Sequence, residues 1–405
     1  MRSYFNSKRL LVLFSSVLLI TGFAVAADGP YRLVKEIQVG AEGGWDYASV
    51  DSTAHRLYVS HGTKVVVIDI DKNEVVGEVN DTPGVHGFAF APELGLGFSS
   101  NGRENKASVV DLETLRTLSK LDTGQNPDAI YYVPGIREVY TFNGRSNDAT
   151  VLEAKDGGKL IATIPLPGKP EFATFDPAAG RIYNNIEDKS VVVAIDVKTH
   201  KVVETWPIAP GEEASGMAID TRNHRLFIVC SNRLMVVMDY MTGKVVTTVP
   251  IGPGVDAACF DPVTGLAFAS NGGDGTVTVA HLDSPDKLTV VQTLRTQRGS
   301  RTMILDPRSH RIYLAAVNYE APAAATAAEA GPGFIQSAGL RPRRIREVAV
   351  DALSLSETPK HRYSLTLNHS FPIRSCRTDF SKSWNPIGCQ RLTWMRRMSL
   401  GWTSW

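Results

Sequence analysis

The stretch YASVDSTAHRLYVSHGTKVVVIDIDKNEVVGEV, Tyr47 to Val79, holds four short apolar runs parted by residues that turn the chain. The runs at Tyr47–Val50, Arg56–Ser60, Lys64–Ile70 and Glu74–Val79 are rich in Val, Ile, Leu and Tyr. Gly, Asp, Asn and His punctuate them, which is the composition of strands joined by tight turns. Together they predict one antiparallel four-stranded meander. The unit then recurs. An apolar segment ending in Asp, Asp-Pro or Pro stands at Asp51, Ala91, Val133, Asp176, Asp220, Asp261 and Asp306, at spacings of 40, 42, 43, 44, 41 and 45 residues. That period fits one four-stranded sheet per repeat, and loops between strands absorb the drift in length more readily than stacked helical hairpins would. The expected fold is all-β, a seven-bladed β-propeller.

Repeats two to six carry the same four runs, for example GFAFAP, LGFSSNG, ASVVDLE and RTLSKL in repeat two, or GMAID, RLFIV, RLMVVMD and KVVTTVPI in repeat five. The seventh starts with TMILDP and RIYLAA, Thr302 to Ala316, and then loses the pattern. Its outermost strand is available at the other end of the chain, where RLVKEIQVG, Arg32 to Gly40, matches the fourth-strand pattern KLIATIPLPG. An N-terminal outer strand in blade seven would close the ring and remove an open edge. The propeller is thus expected over 27–316. An Ala/Gly/Pro-rich loop follows over 317–340, with too little apolar surface to pack. IREVAVDA, 345–352, could supply the missing third strand.

Met1 to Ala26 reads as an export signal, with Arg2, Lys8 and Arg9, an apolar run from Leu10, and the small-x-small site Ala24-Val25-Ala26. The run is short for a membrane anchor and no other stretch could span a bilayer, so a periplasmic or secreted chain with no span in its mature form is expected. Residues 341–405 form an atypical basic tail with four of the six tryptophans, two of the four cysteines, and twelve Lys or Arg against four Asp or Glu. A small basic extension, a membrane-contacting tail and a shifted reading frame all fit that composition. Residues 27–340 hold 28 Lys or Arg and 38 Asp or Glu, a net charge of −10 within a chain of +1. An acidic body disfavours nucleic-acid phosphates and suits a cationic ligand, a metal ion or a basic protein patch. Cys230 and Cys259 fall on different strands of neighbouring repeats, and buried free thiols are expected there rather than a bridge.

The loop entering each innermost strand opens on one mouth of a propeller's channel. Five residues before each repeat anchor stand Asp46, His86, Asp128, Glu171, Ser215, Asp256 and Arg301, which are the candidate ligand-binding residues. Carboxylates with a histidine can hold a divalent cation or run acid/base chemistry, and polar side chains at turns can equally serve to bond backbone amides. Ten residues past each anchor stand His61, Asn101, Asn143, Ile186, Cys230, Asn271 and Ala316. The Asn-Gly pairs among them read as hairpin turns in which asparagine takes left-handed geometry. His61 is a secondary candidate. His200 and His224 fall in outer turns and read as solvent-exposed. No GxSxG elbow, phosphate-binding loop, dinucleotide fingerprint, HExxH helix or haem site is present.

The units LYVSHGTKVVVIDIDKNEVVGEV, SVVVAIDVKTHKVVETWPI and LMVVMDYMTGKVVTTVPIGPG, with the asparagine-glycine turns, resemble the exported YVTN/YncE-like seven-bladed β-propeller proteins over about residues 32–316. The resemblance implies a periplasmic recognition or scaffold protein that binds a small molecule or an exported protein at one mouth, more in keeping with a binding protein than an enzyme. Related propellers include lactonases with a divalent metal in the channel. The alternative is therefore a metal-dependent hydrolase of that type, with Asp46, Glu171 and Asp256 as the metal-binding candidates. Members usually finish blade seven with a Val-rich third strand soon after the Ala/Pro-rich excursion, and the ending of this chain departs from that pattern.

Overall fold

A computed structural model describes residues 29–39, 44–319 and 342–352. Six four-stranded antiparallel sheets follow one another in chain order, with first strands Trp45–Asp51, Val85–Ala91, Pro127–Val133, Pro170–Asp176, Ala214–Asp220 and Val255–Asp261. They are blades one to six. Each first strand lies against the first strand of the next blade, the radial arrangement of a β-propeller. A further sheet, here the terminal sheet, draws on both ends of the described chain in the order Tyr31–Gln38, Pro342–Ala352, Arg311–Tyr319, Met303–Asp306. All its pairings are antiparallel, with Tyr31 opposite Ala352 and Leu314 opposite Val348. Its strand Met303–Asp306 touches the first strands of blades one and six. The export-signal segment, most of the Ala/Gly/Pro-rich loop, and the tail past Ala352 with Cys376 and Cys389 lie outside the described residues.

The second and third strands of each blade are covered on both faces by neighbouring blades, so they read as unbroken apolar runs such as LYV and VVVI rather than as alternation. Aromatic rings meet across the seams. Tyr58 of blade one stacks on Phe88 of blade two at 4.8 Å, and Phe227 of blade five on Phe260 of blade six at 4.6 Å. Burying one such ring stabilises the fold by about 1.5–3 kcal/mol. Cys230 and Cys259 are buried free thiols, and burial pushes both up to about 12.

The anchor aspartates are turn-makers. Asp51, Asp176 and Asp220 each accept the amides two and three residues on, and the residues four on, His55, Gly180 and His224, are left-handed. They also fasten blades. Tyr240 of blade five donates to Asp176 of blade four at 2.8 Å, Ser52 donates to Asp306 at 2.6 Å, and His310 Nδ1 lies 2.8 Å from Asp261. Of the two histidines of the outer turns, His200 is half-buried with Nε2 2.9 Å from Glu138, whereas His224 is exposed, as expected, with its ring edge-on to Tyr240.

The expectation for Asn101, Asn143 and Asn271 is corrected. Asn101 pairs with Lys106, which leaves four residues in the turn where a two-residue Asn-Gly hairpin needs two. The left-handed residues are Asn105, Asn147 and Gly275. Each buried asparagine instead donates through Nδ2 to a third-strand hydroxyl seven residues on, Ser108, Thr150 or Thr278, at 2.8–2.9 Å.

The fourth strand of each blade from one to six carries a bulge, and the residue skipped there is apolar and exposed in Val76, Leu118, Ile161, Val203 and Val291. An edge bent this way is a poor template for another strand.

Candidate functional site at the channel mouth

The predicted ring residues occupy the same irregularity in all six blades. The pairing of first and second strand shifts register between Trp45 and Ala48, Val85 and Phe88, Pro127 and Ile130, Pro170 and Ala173, Ala214 and Met217, and Val255 and Ala258. Asp46, His86, Asp128, Glu171, Ser215 and Asp256 are the first residues inside those shifts. A bulged residue leaves the ladder and its side chain is re-aimed. All six stand at the start of each blade's first strand, its second residue.

Three of them come together tightly. His86 Nδ1 is 2.7 Å from Asp46 Oδ2 and 3.7 Å from Asp128 Oδ1, so blade two is joined to blades one and three. Ligand atoms of Asp46, His86 and Asp128 all lie within 4.8 Å of one another, and among the described residues no other group of His, Cys, Asp and Glu does so. Glu171 and Asp256 are committed elsewhere. Glu171 lies 2.6 Å from Lys169 Nζ, which also contacts Glu187, and Asp256 is 3.5 Å from Arg301 Nε. Ser215 turns to the seam and donates to the Val255 carbonyl at 3.4 Å. The set Asp46, Glu171, Asp256 is therefore not the one gathered as a ligand group.

Tyr47, next to Asp46, was not among the sequence candidates. Its hydroxyl donates to Glu171 at 3.4 Å, and its ring meets Phe172 edge-on at 5.5 Å. Burial first, and then the charges of Asp128, Glu171, Asp46 and Asp256, raise its phenol well above the ordinary value. One phenol thus senses carboxylates from blades one, three, four and six. Adjacency to a ring carboxylate was the only signal for it in the sequence.

Asp128, Asp256 and Glu171 are hard to ionise. Burial raises Asp128 to about 7, with His86 pulling it down and Glu171 and Asp46 pushing it up. Burial raises Asp256 to about 6 against the opposing pull of Arg301. Burial also raises Glu171, with Lys169 opposing. For His86 burial works against the imidazolium, but the Asp46 hydrogen bond, the charges of Asp128 and Asp46, and Asn126 outweigh it, and the net direction is upward.

Gly102 closes the site on the far side of His86. A Cβ there would stand 2.5 Å from His86 Nε2 and 2.9 Å from Asn126 Oδ1. Gly102→Ala is expected to dislodge the imidazole from Asp46, and proton NMR should show the His86 ring resonances shifted and its titration moved toward that of an ordinary histidine. His61 is buried. It stacks on Trp45 at 4.1 Å with Nδ1 3.1 Å from the Gly44 carbonyl, and burial lowers it. A cleft of about 180 Å³ lies away from the ring, between blade one and the terminal sheet. Its Ser52 and Ser309 hydroxyls both bond Asp306 and its Asp71 faces His55, so its polar groups are already engaged.

No protein-family model matches the chain, and no curated protein does. Among solved structures the chain is similar to Kuenenia stuttgartiensis hydrazine synthase, with a TM-score of 0.61 and 17% identity, over 73% of this chain and 95% of that one. At that identity the likeness carries the fold alone.

Proposed function

We propose that the chain is an exported recognition propeller that captures a cationic ligand at the mouth bearing Asp46, His86, Asp128, Glu171 and Asp256, with the terminal sheet as a seventh blade closing the ring through the N-terminal strand. The observation that carries this reading is the convergence of four carboxylates from four blades on Tyr47. Carboxylates that burial raises toward neutrality, as it does Asp128 and Asp256, are poor structural groups, and a cation that displaces their protons relieves the strain of ionising them. The ligand would be a small cation or the basic side chain of an exported protein, since a body of net charge −10 repels phosphates. Calorimetric titration of the signal-free chain with Ca²⁺, Mn²⁺ and the polyamine spermidine tests it. Binding should strengthen between about pH 5 and pH 8 as Asp128 and Asp256 give up protons, and should be lost in Asp128→Asn. Absence of binding by all three cations at both pH values would refute it.

A second reading, a metal-dependent hydrolase of the lactonase type, is favoured by the Asp46, His86, Asp128 group. Its donor atoms span 4.8 Å or less, which fits one divalent cation once the imidazole is neutral. Such an ion would polarise a bound carbonyl. Asp46, His86 and Asp128 would hold it, while Tyr47 and Glu171 lie alongside. Lactone hydrolysis abolished by EDTA and by His86→Ala would support this reading, and hydrolysis indifferent to both would end it.

A further inference from the structure

Nine residues past each anchor, on the buried second strand, the chain carries Ser100, Asn185 and Ser270 in blades two, four and six, and Phe142 and Val229 in blades three and five. The polar members are wholly buried, and each reaches across a seam to the backbone of a ring residue. Ser100 Oγ accepts the Gly87 amide, the peptide after His86, at 2.9 Å, and donates to the carbonyl of Asp128 at 2.5 Å. Ser270 Oγ repeats this, accepting the Ala257 amide after Asp256 at 3.2 Å and donating to the Arg301 carbonyl. In blade four the two tasks fall to two side chains. Asn184 Nδ2 donates to the Glu171 carbonyl at 2.8 Å, and Asn185 Nδ2 to the Ser215 carbonyl at 2.7 Å.

We infer that Ser100 and Ser270 are positioning residues of the mouth: each fixes, through one hydroxyl, the backbone of two ring residues on adjacent sheets, and so sets the cross-seam pairs His86–Asp128 and Asp256–Arg301. A bulged residue has lost its ladder partners, so its backbone needs another constraint to hold its side chain in place. A buried hydroxyl with one donor and free acceptor capacity meets that need where both peptides are in reach. Phe142 and Val229 cannot, and the structure shows no close charged pair of ring residues across the seams that follow them. The seams after blades two, four and six are therefore fixed by these polar clamps, whereas this position is apolar in blades three and five, and the seam between blades five and six is crossed instead by Ser215 donating to the Val255 carbonyl. Blade one differs again: Ser60 Oγ has no partner among the described residues, and its seam is held by Ser49 donating to the Phe88 carbonyl at 2.5 Å. This role concerns the mouth of the proposed function but is read without any ligand, so it stands or falls apart from cation binding.

The test is a double-mutant cycle, His86→Gln with Asp128→Asn, measured by denaturant unfolding of the full signal-free chain in three backgrounds. In the parent the pair should be coupled by about threefold or more in the unfolding equilibrium constant. Ser100→Ala should bring that coupling close to unity, and Ser270→Ala, equally buried and making the same kind of clamp, should leave it intact. If Ser100→Ala does not fold, Ser100→Cys, similar in size with a weaker donor, should give reduced coupling. An uncoupled pair in the parent, coupling indifferent to loss of the Ser100 hydroxyl, or equal loss from Ser270→Ala would each overturn the assignment, the last by reducing both serines to general stability.

Discussion

Asp128→Asn is expected to melt above the parent chain at about pH 8, and the two to melt together near pH 4. The carboxyl of Asp128 is raised to about 7 in the fold, by burial first, whereas an unfolded aspartate titrates at about 3.9. Between those values the native state holds a proton that the unfolded state has released, so the unfolded state gains with each step in pH and stability falls through the window. Above about pH 7 both states are ionised and the loss is complete. Asparagine fills the same volume without titrating and is free of this cost. The gap should be on the order of 2–4 kcal/mol once open, several degrees in a chain of this size. His86 acts in the same direction. Its raised value contributes stability below the ordinary histidine range that disappears as pH rises through its folded value, and removing Asp128 trims that contribution as well. Differential scanning calorimetry from about pH 4 to pH 8 measures both curves. A mutant less stable than the parent at about pH 8 would mean that the His86–Asp128 attraction outweighs the burial of the charge, and that Asp128 is a structural ion rather than part of a binding mouth. A mutant more stable but unable to bind a cation is the expected combination, because a binding group at odds with its own fold is what function requires at such a site.

The repeat and its strands were readable because each blade must bury two strands on both faces and turn within a few residues, which leaves apolar runs and aspartates at fixed intervals. Counting from those anchors, aspartates in five repeats and Ala91 and Val133 in the other two, found the ring, since every blade from one to six bulges at the same place. What the spacing could not show is which ring residues meet. Asp46, His86 and Asp128 converge, while Lys169 and Arg301 occupy Glu171 and Asp256. Lys169 lies two residues before a ring position and gave no sign of being aimed inward. The asparagines misled for a local reason: Asn-Gly is a strong signal for a two-residue hairpin, but Asn101, Asn143 and Asn271 precede longer turns and bond across to the third strand. Seam contacts were equally hidden, because they join residues a repeat and a half apart, such as Asp176 and Tyr240.

That last contact yields the other large effect. Asp176→Ala should destabilise the chain by about 3–5 kcal/mol, and the control is Asp220→Ala, its counterpart one repeat on. Both aspartates are buried and both accept the amides of their own turn, Ala178 and Ala179 for Asp176, Arg222 and Asn223 for Asp220. Asp220 takes its remaining bond within the turn, from the Asn223 side chain, whereas Asp176 takes it across the seam from the Tyr240 hydroxyl. Burial and then this bond raise the Tyr240 phenol, so it stays a neutral donor throughout the accessible range of pH. Removing Asp176 strands that hydroxyl between blades, which adds the desolvation of a buried polar group to the loss of the turn. Removing Asp220 loses the turn alone and should cost about 1–3 kcal/mol. Tyr240→Phe separates the two terms. In its background the cost of Asp176→Ala should fall toward that of Asp220→Ala, by about 1.5–3 kcal/mol, the range for a hydrogen bond to a charged group. Strict additivity of the two substitutions in urea unfolding would show that the bond carries no net energy, and that blades four and five are held by the packing of Tyr183 against Tyr240 rather than by Asp176.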